Sequence, residues 1–217
     1  MTTYLNKIFT NRIQKSSINT IMECGSRDGL DAIELNNFYH PERIYSFECN
    51  PESILVCEEN VKEYGNIKLV KKAVYKNNGL VDFYPTDMDK SIDKNIGASS
   101  LLFHRDNKTS FFQRKIQVEA IRLDTFMKDE NILKIDLLCL DLQGAEHFAI
   151  EGLGKRIKDV HYIISEVSFS SFYHGDQSFK KIIDILKQKD FTIMACDTRR
   201  INGPGFGNAL FSNMEWS

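Results

Sequence analysis

The stretch Glu23-Cys24-Gly25-Ser26-Arg27-Asp28-Gly29 sets two glycines four apart directly after an apolar run, and Glu48 closes the next such run. Glycines so placed allow a tight turn beneath a ligand, and an acid at the end of the second run can accept hydrogen bonds from ribose hydroxyls. Three more groups stand where protons could be moved. Asp141 follows Leu138-Cys139-Leu140, His147 lies just beyond it, and Glu166 ends a later run that begins at His161. An ordinary aspartate, with a pKa of about 3.9, is a poor base for a hydroxyl, so Asp141 must be desolvated, hold a metal, or mainly position an acceptor. Its structural alternative is to cap the turn at Gln143 and Gly144 through backbone N–H groups. His147 offers a base with a pKa near about 6.5. Glu146 suits the first turn of a helix, where a carboxylate complements the dipole, as well as it suits a site. Asp141 and Glu166 would give Mg²⁺ two hard oxygen ligands, which leaves a divalent metal as the lesser alternative.

The elements around these residues follow from periodicity. Strands are expected over residues 18–24, 43–48, 67–74, 80–84, 116–123, 138–142, 161–167 and 191–196, with 208–211 returning as a hairpin partner. Helical spacing of Tyr4, Leu5, Ile8, Phe9 and Ile13 predicts a short helix over residues 3–15. Further helices follow the glycine turn, the Asn50-Pro51 cap, the Gln143-Gly144 turn and Ser178. The expected fold is α/β: a Rossmann-like, mostly parallel sheet of about seven strands with helices on both faces and an antiparallel last strand. Residues 86–115 show no sustained period and read as an inserted loop or lid at the acceptor side of a single domain spanning 1–217. Ser99, Ser100, His104 and Arg105 there offer donors to a polyhydroxylated ligand, with Gln143 facing them from the strand-end turn. Phe111 and Phe112 could stack on a sugar or pin the loop, and Phe169, Phe172, Tyr173 and His174 form a second aromatic-polar loop.

The dinucleotide fingerprint needs a glycine two positions after the first, and here that position is Arg27. No Gly-Lys-Ser/Thr follows either, so the turn carries no phosphate device. The crevice therefore leans toward S-adenosyl-L-methionine. A nicotinamide-linked oxidoreductase and a non-catalytic binding module on the same scaffold are the rival readings. Composition agrees with an enzyme of small ligands: 217 residues with 28 basic against 30 acidic side chains give no electrostatic funnel for nucleic acid. The five cysteines are scattered through apolar runs, as buried thiols are. Neither a spanning apolar stretch nor a signal-peptide core is present, so a cytoplasmic location is expected, and oligomeric state stays open.

Several pieces in order resemble the FkbM family of S-adenosylmethionine-dependent methyltransferases. They are Met-Glu-Cys-Gly-Ser-Arg-Asp-Gly from Met22, Phe-Glu-Cys-Asn-Pro from Phe47, Lys-Lys-Ala-Val-Tyr from Lys71, Arg-Leu-Asp-Thr-Phe from Arg122 and Leu-Asp-Leu-Gln-Gly-Ala-Glu from Leu140. Glu166 and Asn-Ala-Leu-Phe from Asn208 also fall where that family places similar residues, so the likeness covers residues 20–211. It implies a class I methyltransferase-like fold, with Glu23, Gly25 and Gly29 on the methionine side of the cofactor and Glu48 on the ribose. Asn50, Ala73 and Val74 would lie toward the adenine, and Asp141 where the methyl group meets the acceptor. Ser26 and Arg27 depart from the family's usual residues after the first glycine, which alters polar groups near the cofactor without removing the turn. The implied reaction is O-methylation of a sugar, glycan or small natural product.

Overall fold

The computed structural model describes residues 2–92, 94–105, 112–197 and 205–216. Strands β1 (Thr20–Cys24), β2 (Arg43–Phe47) and β3 (Ile67–Val70) run parallel. Between them lie helix α2 (Leu30–Tyr39) and helix α3 (Pro51–Val61), after a short α1 (Lys7–Thr10) at the N-terminus. Asn50 caps α3 by accepting from the Glu52 N–H at 3.2 Å with Pro51 at the first helical position, as the sequence predicts.

Two departures occur in this half. The expected helix over residues 3–15 is broken into a 3-10 turn at Thr3–Leu5, α1, and a second 3-10 turn at Lys15–Ser17. Thr2 and Asn6 each cap backbone N–H groups within six residues, so the chain restarts rather than continues. Tyr4, Phe9 and Ile13 are nevertheless buried, and the apolar face exists without the continuous helix. The expected third strand over 67–74 also splits. The Lys72 N–H turns back to the Val70 carbonyl at 2.9 Å, and β4 (Ala73–Val74) leaves the main sheet. It joins β5 (Gly79–Phe83) and β6 (Ile116–Ile121) in a separate sheet of order β4-β6-β5. Residues 116–121 thus belong to this second layer and not to the large sheet.

The chain next forms α4 (Leu123–Asp129), where periodicity predicts no helix, and then β7 (Ile135–Leu140), α5 (Glu146–Leu153) and β8 (Val160–Ser168). Every residue of β7 is buried. Leu138 and Leu140 enter the apolar cluster with Phe126 and Leu153, while Leu137 and Cys139 enter the opposite cluster with Phe9 and Leu35. That alternation marks a central strand covered on both faces. Helix α6 (Phe179–Lys187) is capped by Ser178, whose Oγ accepts from the Lys181 N–H. Finally β9 (Phe191–Cys196) and β10 (Phe206–Asn213) complete a seven-stranded sheet of order β3-β2-β1-β7-β8-β10-β9. The last strand is antiparallel to both neighbours, as expected.

Candidate active site

Phe47, Cys24, Leu140 and Ser165 lie in register across β2, β1, β7 and β8. The next residue of each strand is therefore Glu48, Gly25, Asp141 and Glu166, a row along the carboxyl edge where an open α/β sheet holds its ligand. Backbone bonds tie the row together. The Gly25 and Ser26 N–H groups both donate to the Phe47 carbonyl at 3.0 Å, and the Asp141 N–H donates to the Cys24 carbonyl at 3.0 Å. Glu48 adds a side-chain clamp: its carboxylate accepts from Arg27 at 2.7 Å, Cys49 at 2.8 Å and Asn50 at 2.7 Å, all through backbone N–H groups.

A cavity of about 430 Å³ opens over this row. That volume lies within the range of small-molecule sites. Gly25, Ser26, Glu48, Asn50, Ala73 and Val74 line one half. Phe47 and Phe83 wall it, and Asn50 presents a buried Nδ2 without a hydrogen-bond partner. An orphaned donor between apolar walls, beside an acid with spare acceptor capacity, fits an adenosyl ligand. Arg27 and Asp31 also line the cavity.

Glu23 and Gly29 stand behind the lining instead of in it. Glu23 is fully buried, accepts from Ser46 Oγ at 2.7 Å, and is linked through Ser46 to Ser26 at 2.6 Å. Burial pushes its carboxyl up to about 8, opposed by the Ser46 and Ser26 hydrogen bonds and assisted by the Asp31 and Glu48 charges. The folded state thus keeps a proton that the unfolded chain releases near 4.5, so stability is full below that pH and falls as pH climbs through about 8. Glu23→Gln, measured without cofactor, is expected to flatten the fall in Tm between pH 6 and 9; an unchanged slope would show that Glu23 ionises freely.

The other half of the cavity holds Asp141, Gln143 and Glu166. Gln143 Nε2 donates to Asp141 at 2.6 Å and to Glu166 at 3.1 Å. Burial raises both acids. Glu166 is driven well up, because the Asp141 and Glu146 charges add to burial, while hydrogen bonds from Gln143 and Glu166 and the Arg27 charge restrain Asp141. Of the two, Glu166 is pushed up by burial and by the neighbouring acids, while Asp141 is raised by burial against these restraining contacts. As the side chains stand, the Gln143 N–H donor and not a cation lies between the two acids. Among the described residues no group of three or more His, Cys, Asp or Glu side chains is placed to hold a metal ion.

Glu146 turns out to be a clip for the turn. Its Oε1 accepts from the Leu142 and Gly144 N–H groups at 2.8 and 3.2 Å, and burial pushes its carboxyl up to about 7. His147 is buried on α5 against Phe148, with ring centroids 3.9 Å apart, and does not line the cavity. The histidine that does is His104.

Ser99 and Ser100 line the cavity too, but their hydroxyls brace loops: Ser99 donates to the Ile96 carbonyl at 2.6 Å and Ser100 to the Gln143 carbonyl at 2.9 Å. Arg105 is outside the lining, donating to Ser171 Oγ at 2.9 Å and to the Tyr173 carbonyl at 3.2 Å. The two expected loops do meet. A bridge joins His104 to Tyr173, and the Arg105 N–H donates to the Phe172 carbonyl at 2.8 Å. Phe111 falls outside the described residues. Lining residues not anticipated include Asn95, Gly97, Asp176 and Phe206. The only sequence signal for the first two was an Asn-x-Gly turn, in which Asn95 Oδ1 accepts from the Gly97 N–H at 3.0 Å.

The sequence model of the methyltransferase FkbM domain matches residues 23–193. The chain belongs to the FkbM family. This FkbM methyltransferase is similar to the 2-O-methyltransferase NoeI of Sinorhizobium fredii, at 27% identity over 187 residues that cover 84% of this chain and 76% of the relative. A solved FkbM methyltransferase from Methylobacillus flagellatus superposes with a TM-score of 0.62 at 14% identity; the match covers 95% of this chain and 46% of that one. TrmK of M. capricolum, solved with S-adenosylhomocysteine, gives a TM-score of 0.55 at 13% identity, covering 99% and 69%. At such identities the structures speak for the fold alone. The family assignment makes this FkbM protein an S-adenosylmethionine-dependent enzyme and sets aside the nicotinamide and non-catalytic readings. Among its described residues no helix is long and apolar enough to cross a membrane.

Proposed function

We propose that this FkbM methyltransferase methylates a hydroxyl oxygen of a sugar or glycan, with Asp141 as the group that takes the hydroxyl proton. The observation that carries the reading is the pair of buried acids Asp141 and Glu166 on the wall of the cavity, both within hydrogen-bond reach of the Gln143 amide. The similarity to a 2-O-methyltransferase supports an oxygen acceptor.

S-adenosylmethionine, when bound, supplies a methyl group on a positively charged sulfonium. The protein's task is alignment and proton removal. Glu48 and Asn50 hold the ribose and adenine side, Gly25 gives the close backbone approach, and Glu23 supports the turn through Ser46. With the methyl donor bound, Asp141 would receive the acceptor's proton as the acceptor oxygen takes up the methyl group. Burial raises the Asp141 carboxyl toward the working pH and so makes it a better base than an exposed aspartate. The loops joined at His104 and Tyr173 cover this half and limit water.

The test is a panel of neutral methyl glycosides, a simple phenol, a carboxylic acid and a short RNA, each incubated with S-adenosylmethionine and followed by S-adenosylhomocysteine release and product mass. Methylated glycosides are the expected result. Methylation confined to the RNA or to the carboxylic acid would overturn the acceptor class.

A further inference from the structure

Of the large apolar side chains that stand exposed among the described residues, Phe206 is the one that lines the cavity. It is 56% exposed, although it opens a strand whose next five residues are buried. A single aromatic on an open surface needs no explanation. On the wall of a ligand site it offers a face that the ligand can cover, worth roughly 25 cal/mol for each Å² taken out of water.

The sheet gives that face a direction. β10 runs antiparallel to β8 with Phe206 opposite Ser168 and Asn208 opposite Glu166. Opposed residues share a face of the sheet, and so do residues two apart along a strand. Phe206 therefore stands on the same face as Glu166, as its diagonal neighbour, at about 7–8 Å. Asp141 is on that face too, since Leu140 pairs with Ser165 and the next residue of each strand is an acid. The base of Phe206 is held in place: the Phe169 N–H donates to the Gly205 carbonyl at 2.9 Å, and the Ser170 N–H to Ser168 Oγ at 3.2 Å. Its distance from the cofactor half is large. β10 is four strands from β2, roughly 19 Å at about 4.8 Å per strand, so Glu48 and Asn50 lie well away from it.

We infer that Phe206 is the platform for the acceptor: the axial C–H face of a pyranose ring packs on its phenyl face, and the edge of that ring presents a hydroxyl to Asp141. This rests on the sugar-hydroxyl reading above and narrows it to rings with one face free of axial hydroxyls. The phenyl face is electron-rich and attracts the weakly positive hydrogens of such a C–H face. The acid pair, one ring's width along the same face of the sheet, meets the polar edge of the sugar while Phe206 meets its apolar side.

The probe is methyl β-glucopyranoside, whose ring hydrogens are all axial. Phe206→Leu keeps an apolar side chain without the flat face, and Phe206→Tyr keeps the face. With S-adenosylmethionine present, kcat/KM for the glucoside should fall roughly tenfold in Phe206→Leu and stay within about twofold of wild type in Phe206→Tyr. The loss should sit mostly in KM, because the ring contact is made alike before and during transfer. Affinity for S-adenosylhomocysteine should stay within about twofold in both variants. The readout that needs no turnover is saturation-transfer NMR on the enzyme filled with S-adenosylhomocysteine. Irradiating aromatic protons should label the hydrogens of one sugar face more than those of the other, and Phe206→Leu should remove that preference while Phe206→Tyr retains it. Labelling that is equal on both faces, labelling unchanged in Phe206→Leu, or a parallel loss of cofactor affinity would overturn the platform. If the face preference behaves as expected while no glucoside is methylated, the acceptor reading fails and the platform stands. Glucoside methylated equally well by wild type and Phe206→Leu removes Phe206 alone.

Discussion

Asp141→Asn is expected to lower kcat by roughly 10²- to 10⁴-fold, the usual loss when a positioned general base is removed, with S-adenosylhomocysteine affinity within a few-fold of wild type. The side chains are nearly isosteric, and the backbone N–H that joins Asp141 to Cys24 is untouched, so the row of strand ends keeps its shape. What is lost is the carboxylate proposed to accept the hydroxyl proton. Removing a buried charge should leave Tm unchanged or higher, which separates a chemical loss from a folding loss. Glu166→Gln provides the contrast. Its amide can donate to Asp141, and the proposed base survives, so a reduction nearer tenfold is expected. Single-turnover rates at saturating S-adenosylmethionine, with calorimetry for affinity, check both variants. Wild-type kcat in Asp141→Asn would remove the proposed base.

How much of this was legible beforehand depends on what each residue answers to. The strand-end acids were readable because β1, β2, β7 and β8 are apolar runs that stop at the sheet edge, and stopping points of parallel strands converge there whatever the loops do. Asn50 and Ser178 were readable because a cap acts on N–H groups two or three residues away. The break at Lys71-Lys72 was hidden, since Val70, Ala73 and Val74 remain buried on either side of it. Pairing of β4 with β6, far along the chain, decides which sheet those residues join. His147 and Glu146 illustrate the same limit within a site. Adjacent helical residues point about 100° apart, so only one of them can face the turn and the cavity, and spacing alone could not say which. The roles of Ser99 and Ser100 were equally out of reach, because their hydroxyl partners are carbonyls whose position follows from loop closure.

The largest structural effect is expected from Gly25→Ala. Gly25 has φ +95°, and a Cβ built on it would lie 1.9 Å from the Asp141 carbonyl oxygen and 2.9 Å from its carbon. Neither atom can step aside cheaply, because both belong to the backbone at the end of β7, anchored by the bond from the Asp141 N–H to Cys24. The conformational penalty of roughly 1–2 kcal/mol adds to an overpacking cost of roughly 1–3 kcal/mol, so a loss of about 3 kcal/mol in folding stability is expected. Relief of the clash must push the glycine turn away from Asp141, and that turn lines the half of the cavity proposed to hold the cofactor. Affinity for S-adenosylhomocysteine should fall at least 100-fold, about 2.7 kcal/mol or more. Gly79→Ala separates the two causes. Gly79 has φ +115° but nothing within 4 Å of the added carbon, so it carries the backbone penalty without the collision and should leave cofactor affinity unchanged. Equal affinities in the two variants would mean that the close approach of Gly25 to Asp141 does not shape the cofactor site, because strain alone would then account for whatever stability both had lost.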